Sequence, residues 1–217
     1  MKFEIRPSHP AFPDGRPLAV GRSFLIVPDG TGAVSSDRIA ILLTRGEAFG
    51  SGLHETTISC IEEMEKLPSV GDSRVLDFGT GTGILSLAAL KLGARRAVAV
   101  DTDIDAVRTC RRNAVTNGLA EKLMIYRGSV DALSPANGFG LILANVYGDI
   151  LLREAPGLAS RVRAGGYMIL SGLEYTDSGP LKNRLTGEGM EEISVIFLED
   201  YVTQVWRHPP ERAEEGP

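Results

Sequence analysis

The sequence predicts a doubly wound α/β fold, with a mostly parallel sheet that ends in an antiparallel C-terminal hairpin. Three observations carry that prediction. From Arg74 onward, apolar runs of strand length alternate with longer segments of helical period, the pattern of a parallel sheet covered on both faces by crossover helices. The first of these runs leads into the glycine-rich turn of RVLDFGTGTG (74–83), where an open α/β sheet places its ligand crevice. Near the end, EEISVIFLE (191–199) and YVTQVWRH (201–208) are β-type runs parted only by Asp200, too close for a crossover and suited to a hairpin.

Taken in order, residues 1–45 are dense in Pro and Gly and hold two short β-type runs, SFLIV and RIAILL. They predict a small antiparallel element or ordered arm. A helix leads to Lys66, and the strands of the main unit, 46–208, are RVLDFG (74–79), AVAVD (97–101), LMIYRG (123–128), LILANV (141–146) and YMILSG (167–172). Helices are expected over 83–93, 103–117 and 147–163. In the second of these, Asp103 is the N-cap, Ile104, Val107, Cys110 and Ala114 recur at three- and four-residue steps, and Asn117-Gly118 supplies the stop. The tail PPERAEEGP (209–217) is charged and proline-rich and is expected to be disordered.

Composition narrows the function classes. The chain has 217 residues, 43% of them hydrophobic, enough for one well-buried domain. No apolar run approaches the roughly 20 residues that span a bilayer, and MKFEIRPSHP lacks a signal-peptide layout; a cytoplasmic protein without a membrane partner is expected. The net charge of −5 argues against a broad, stable grip on nucleic acid, although a local basic face could hide in that total. Cys60 and Cys110 have no second Cys or His at metal-ligand spacing, so they are expected as reduced, partly buried thiols with no metal.

Three alternating glycines are costly unless the chain turns tightly or lets something approach its backbone. A dinucleotide-binding G-x-G-x-x-G does not fit: the third glycine follows the second by two residues, and Ile84 stands where that motif needs glycine. Asp77 would also meet a pyrophosphate with like charge. An uncharged or cationic ligand suits the loop better, and S-adenosylmethionine is one, carrying a sulfonium, an ammonium and a carboxylate but no phosphate. Asp77 is expected to pair with its ammonium, and Asp101, closing the next strand, to accept hydrogen bonds from ribose hydroxyls.

The segments AFGSGLHETT (48–57), VLDFGTGTGILSLAALKLGA (75–94), VDTDIDAV (100–107), N-x-x-x-N-G (113–118) and LANVYGDIL (143–151) together resemble the methyltransferases of the large-subunit ribosomal protein L11. The resemblance runs from about Val20 to Trp206, and F-G-S-G-L-H-E-T-T is its most specific piece. It implies a class I, Rossmann-like fold with a seven-stranded sheet. It also implies cofactor contacts from Phe49, Thr57, Asp77, the loop residues Gly79, Thr80, Gly81 and Gly83, Asp101 with Thr102, and Asn145. The activity implied is methylation of protein amines, lysine side chains above all. Two departures stand out. Asn145-Val146-Tyr147-Gly148 replaces the N-P-P-Y of enzymes that methylate planar nitrogens, and the family's separate N-terminal recognition domain has no counterpart in these residues.

The expected chemistry is in-line transfer of a methyl group to a neutral amine. A lysine with a pKa near 10.4 is uncharged only about once in a thousand at neutral pH, so the site must remove a proton or disfavour the ammonium. His54, Glu55, Asn145 and Tyr147 are the candidates for catalytic roles, and Gly50 and Gly52 around Ser51 suggest a lid. Competing expectations are a small-molecule amine or a different protein as acceptor, a SAM-binding protein without catalysis, and, last, a nicotinamide oxidoreductase.

Overall fold

The computed structural model describes residues 2–5, 16–28, 30–31, 34–44, 54–68, 70–134 and 138–210, the first four by their backbone alone. Phe49, the residues Gly50, Ser51 and Gly52 where a lid is expected, and the tail from 211 lie outside the described residues.

The N-terminal strand β1 (Lys2–Ile5) is followed by β2 (Leu18–Val20), β3 (Phe24–Pro28) and β4 (Ile39–Leu43). Helix α1 (Glu55–Lys66) leads into alternating elements: β5 (Arg74–Phe78), α2 (Ile84–Lys91), β6 (Arg96–Asp101), α3 (Ile104–Thr116), β7 (Leu123–Arg127), β8 (Phe139–Asn145), α4 (Gly148–Ala159) and β9 (Val162–Glu174). Helix α5 (Tyr175–Gly187) and the strands β10 (Glu191–Phe197) and β11 (Tyr201–Arg207) complete the chain.

The main sheet runs β1-β10-β11-β9-β8-β5-β6-β7. Pairs among β9, β8, β5, β6 and β7 are parallel, and β10–β11 and β11–β9 are antiparallel. The seven expected strands are there, and an eighth, β1, joins the edge in parallel with β10, Lys2 opposite Ser194. Ordering a strand at residue 2 depends on a partner nearly the whole chain away, which no local pattern reveals.

The first segment also differs from a plain antiparallel element. Strands β2 and β3 are antiparallel, but β3 and β4 run parallel. Phe24, Ile26 and Ile41 are fully buried in the same apolar cluster as Ile61 of α1, Leu87 of α2 and Cys110 of α3. Apolar burial at roughly 25 cal/mol per Å² is what holds this small sheet against the main one. The opposite face of the main sheet is closed by α4 and α5, with Leu151, Leu158, Leu181 and Leu185 packed on Ile142, Leu170 and Trp206.

Asp103 caps α3 as expected, its side chain accepting from the Asp105 N–H. Helix α4 stops at Ala159 rather than near Arg163, because the Arg161 guanidinium donates to the carbonyls of Gly157 (2.7 Å) and Leu133 (2.8 Å) and closes the helix end. Helix α5 escaped the sequence reading: Gly179 and Pro180 break its helical pattern in the sequence though not the helix itself, and only Leu181 and Leu185 are buried along its length. Among the described residues no helix is long and apolar enough to cross a membrane.

Candidate active site

The strand order reverses between β5 and β8, and the crevice beyond their C-terminal ends holds a cavity of about 480 Å³. Its floor is the turn after β5. Gly79, Gly81 and Gly83 all have left-handed backbone, with φ of 69°, 53° and 84°. At Gly79 a Cβ would stand 2.2 Å from Val146 Cγ1, so this position needs glycine for both conformation and close approach. Gly83 caps α2 and does not line the cavity; a Cβ there would lie 2.6 Å from Cys110 Sγ. Its role is to let α2 and α3 pack together, a correction to its expected cofactor contact.

Asp77 also departs from expectation. It is 1% exposed and does not line the cavity. Its Oδ2 accepts from Thr80 Oγ1 (2.7 Å), Ser86 Oγ (2.7 Å) and the Ser86 N–H (3.1 Å), pinning the glycine turn to the first residues of α2. Burial raises its pKa, against the lowering effect of those hydrogen bonds. The carboxylate shapes the loop from beneath instead of meeting a ligand ammonium. Thr80 lines the cavity, but its hydroxyl is committed to Asp77.

Asp101, at the end of β6, does face the cavity, as does Thr102 after it. Its Oδ2 accepts from the Gly81 N–H (2.9 Å) and its Oδ1 from the Asp103 N–H (2.9 Å), so the carboxylate braces the glycine turn and the start of α3. Each oxygen keeps a lone pair for a further donor.

On the other side, Asn145 ends β8 and its Nδ2 donates to Thr57 Oγ1 at 3.1 Å. Thr57 sits in the first turn of α1 and is buried; the cap is His54, whose Nδ1 accepts from the Thr56 N–H (3.4 Å) and lies 2.9 Å from Thr56 Oγ1. Nδ1 is thereby turned to the helix end, which leaves Nε2 as the other ring nitrogen. Tyr147 lines the cavity and is 61% exposed. Glu55 does not line it, and its buried Oε2 has no hydrogen-bond partner among the described residues.

Two residues absent from the sequence reading complete the site. Gly172, with φ of 84°, lines the cavity where a Cβ would lie 2.5 Å from the Val146 carbonyl oxygen and 3.1 Å from Asn145 Oδ1. The glycine that closes YMILSG was the available signal. Tyr201, at the start of β11, lines the cavity with its ring centroid 5.1 Å from that of His54, edge to face; nothing local marks it. Cys60 and Cys110 are buried and do not line the cavity, although Cys110 Sγ lies 3.7 Å from Thr80 Oγ1, and burial pushes the Cys110 thiol up to about 12 and Cys60 further.

A doubly wound sheet with this glycine turn, a strand-end aspartate and a crevice between β5 and β8 defines a class I S-adenosylmethionine-dependent methyltransferase fold. The model of the family described as "Ribosomal protein L11 methyltransferase (PrmA)" matches residues 14–208. The chain belongs to that family. It is 41% identical to the ribosomal protein L11 methyltransferase of Trichlorobacter lovleyi over 198 residues, which are 88% of this chain and 63% of the relative. The crystal structure of a ribosomal protein L11 methylase from Lactobacillus delbrueckii subsp. bulgaricus superposes with a TM-score of 0.80 at 28% identity, covering 89% of this chain and 99% of that one. An RNA methyltransferase from Salinibacter ruber, in complex with S-adenosyl-L-homocysteine, shares the fold at a TM-score of 0.56 and 18% identity, covering 72% of this chain and 95% of that one. The chain spans 51–63% of the length of the curated relatives it matches.

Proposed function

We propose that this chain binds S-adenosylmethionine and transfers its methyl group to amines of a protein, with ribosomal protein L11 the first acceptor to try and the cytoplasm the place of reaction. The observation that carries the reading is the placing of two acceptor oxygens, Asn145 Oδ1 and the Val146 carbonyl, close together beside Gly172 at the cavity. An incoming amine can donate its N–H groups to both, which aims its lone pair into the cavity. The site also fits the cofactor. Asp101 offers a carboxylate to a ribose diol, the glycine turn offers bare backbone, and about 480 Å³ suits a nucleoside with an amino-acid arm.

When bound, that cofactor supplies an electrophilic methyl group and departs as a neutral thioether. The chain's own residues do the rest. Asp101 and the backbone around Gly79 and Gly81 would hold the nucleoside, while Thr57, its hydroxyl hydrogen still available, would meet the carboxylate. Asn145, Val146 and Gly172 would orient the amine, and placing nitrogen in line with the methyl supplies rate through proximity. Desolvation in the crevice would disfavour the ammonium and favour the neutral amine. Asn145 and Val146 hold protons already on the nitrogen; His54 is proposed as a wall and helix cap, with no base duty assigned.

Titration calorimetry of the cofactor against the wild type and Asp101→Ala tests the binding half: a severe loss in the variant, with folding unchanged, is expected. Incubation of recombinant bacterial L11 with deuterated-methyl cofactor, read by mass spectrometry, tests the acceptor. Unaltered affinity in Asp101→Ala would defeat the cofactor assignment, and unlabelled L11 would defeat the acceptor assignment.

A further inference from the structure

We infer that Tyr201 is a positioning residue for the methyl acceptor, forming with His54 an aromatic subsite for the aliphatic stem of a primary amine. The inference rests on the reading above. Strand order sets the geometry: Asp101 ends β6, Asn145 ends β8, and Tyr201 begins β11, with β5 between the first two and β9 between the last two. At roughly 4.8 Å per strand, Asn145 stands about 10 Å across the sheet from Asp101, and Tyr201 about as far again. A nucleoside whose ribose is held at Asp101 therefore has its reacting end over Asn145. The part of the cavity toward Tyr201 belongs to the second substrate.

That part is aromatic and held in place. The Tyr201 and His54 rings meet edge to face at 75°. His54 is fixed by capping α1, and α1 is tied to Asn145 through Thr57. Tyr201 itself is anchored in the antiparallel pairing of β11 with β9, opposite Glu174. Aromatic faces pack methylene groups and attract an ammonium before it loses its proton, so the subsite suits an amine on a flexible alkyl stem.

The test uses n-alkylamines from ethylamine to hexylamine as acceptors, with the cofactor affinity measured alongside. In the wild type KM should fall with each added methylene, by up to roughly fourfold per group where the stem is fully buried. Tyr201→Ala should flatten that series and raise the hexylamine KM by about tenfold, with kcat and cofactor affinity changed less than about twofold. Tyr201→Phe should behave as wild type, since the ring and not the hydroxyl makes the contact. A Tyr201→Ala enzyme that keeps the methylene dependence overturns the inference, and so does one whose loss lies in cofactor affinity. If the wild type binds cofactor yet methylates no alkylamine, the functional reading is judged by the L11 labelling and not by this series. Calorimetric binding of hexylamine to the enzyme loaded with S-adenosylhomocysteine then decides the subsite: it stands if Tyr201→Ala weakens binding and falls if it does not.

Discussion

Asn145 Nδ2 donates to Thr57 Oγ1 across 3.1 Å, joining the end of β8 to the first turn of α1 over 88 residues of sequence. This bond orients the Asn145 amide, so that its Oδ1 lies beside Gly172 and the Val146 carbonyl. Thr57→Val keeps the shape and removes the acceptor. Methyl transfer should fall roughly tenfold, the worth of about 1.4 kcal/mol for one buried hydrogen bond. Single-turnover kinetics at saturating cofactor measures it, and an unchanged rate would mean that Asn145 is oriented by other contacts.

Gly172→Ala should abolish transfer while lowering stability by about 1–2 kcal/mol, because left-handed backbone penalises a Cβ. The new methyl would sit 2.5 Å from the Val146 carbonyl oxygen, so the backbone must shift and carry the two acceptors away from the amine. Thermal unfolding and turnover, measured on the same sample, separate the two effects. A variant with wild-type turnover would remove the amine from this corner.

The buried Asp77 makes a pH prediction. Burial raises its folded-state pKa above the unfolded 3.8, so the native state holds the proton more tightly. The associated stability is fully present below the unfolded value and is lost as pH rises through the folded one. Asp77→Asn removes that dependence. The Tm of the variant minus that of the wild type should therefore grow as pH rises from the unfolded value and then level off. A difference that shrinks over that range would reverse the assignment.

Cys60 and Cys110 are both fully buried, and burial pushes the Cys110 thiol up to about 12. Neither has thiolate available at neutral pH. A thiol reagent at about pH 8 should find no reactive group in the native protein and both in guanidinium chloride. Fast labelling of the native chain would contradict the packing of α2 and α3 around Cys110.

Local chemistry made much of this protein legible from its sequence. Apolar periodicity marked the strands and three of the helices, the run parted only by Asp200 marked the hairpin, and the glycine turn with Asp101 marked the crevice, because each depends on neighbours within a few residues. Helix α5 stayed hidden for the converse reason: Gly179 and Pro180 carry a weak local signal, and the helix is held by packing Leu181 and Leu185 on a sheet that the local pattern does not contain.

The roles of individual carboxylates and aromatics were decided by tertiary structure alone. Sequence spacing put Asp77 beside the loop, but only the fold shows it beneath the turn, bonded to Thr80 and Ser86, while Asp101 faces the cavity. In the same way the pairing of β1 with β10, the capture of Asn145 by Thr57 and the meeting of Tyr201 with His54 join residues far apart in the chain. Local propensity determines which element forms; which way a side chain faces, and what it meets there, is set by long-range packing.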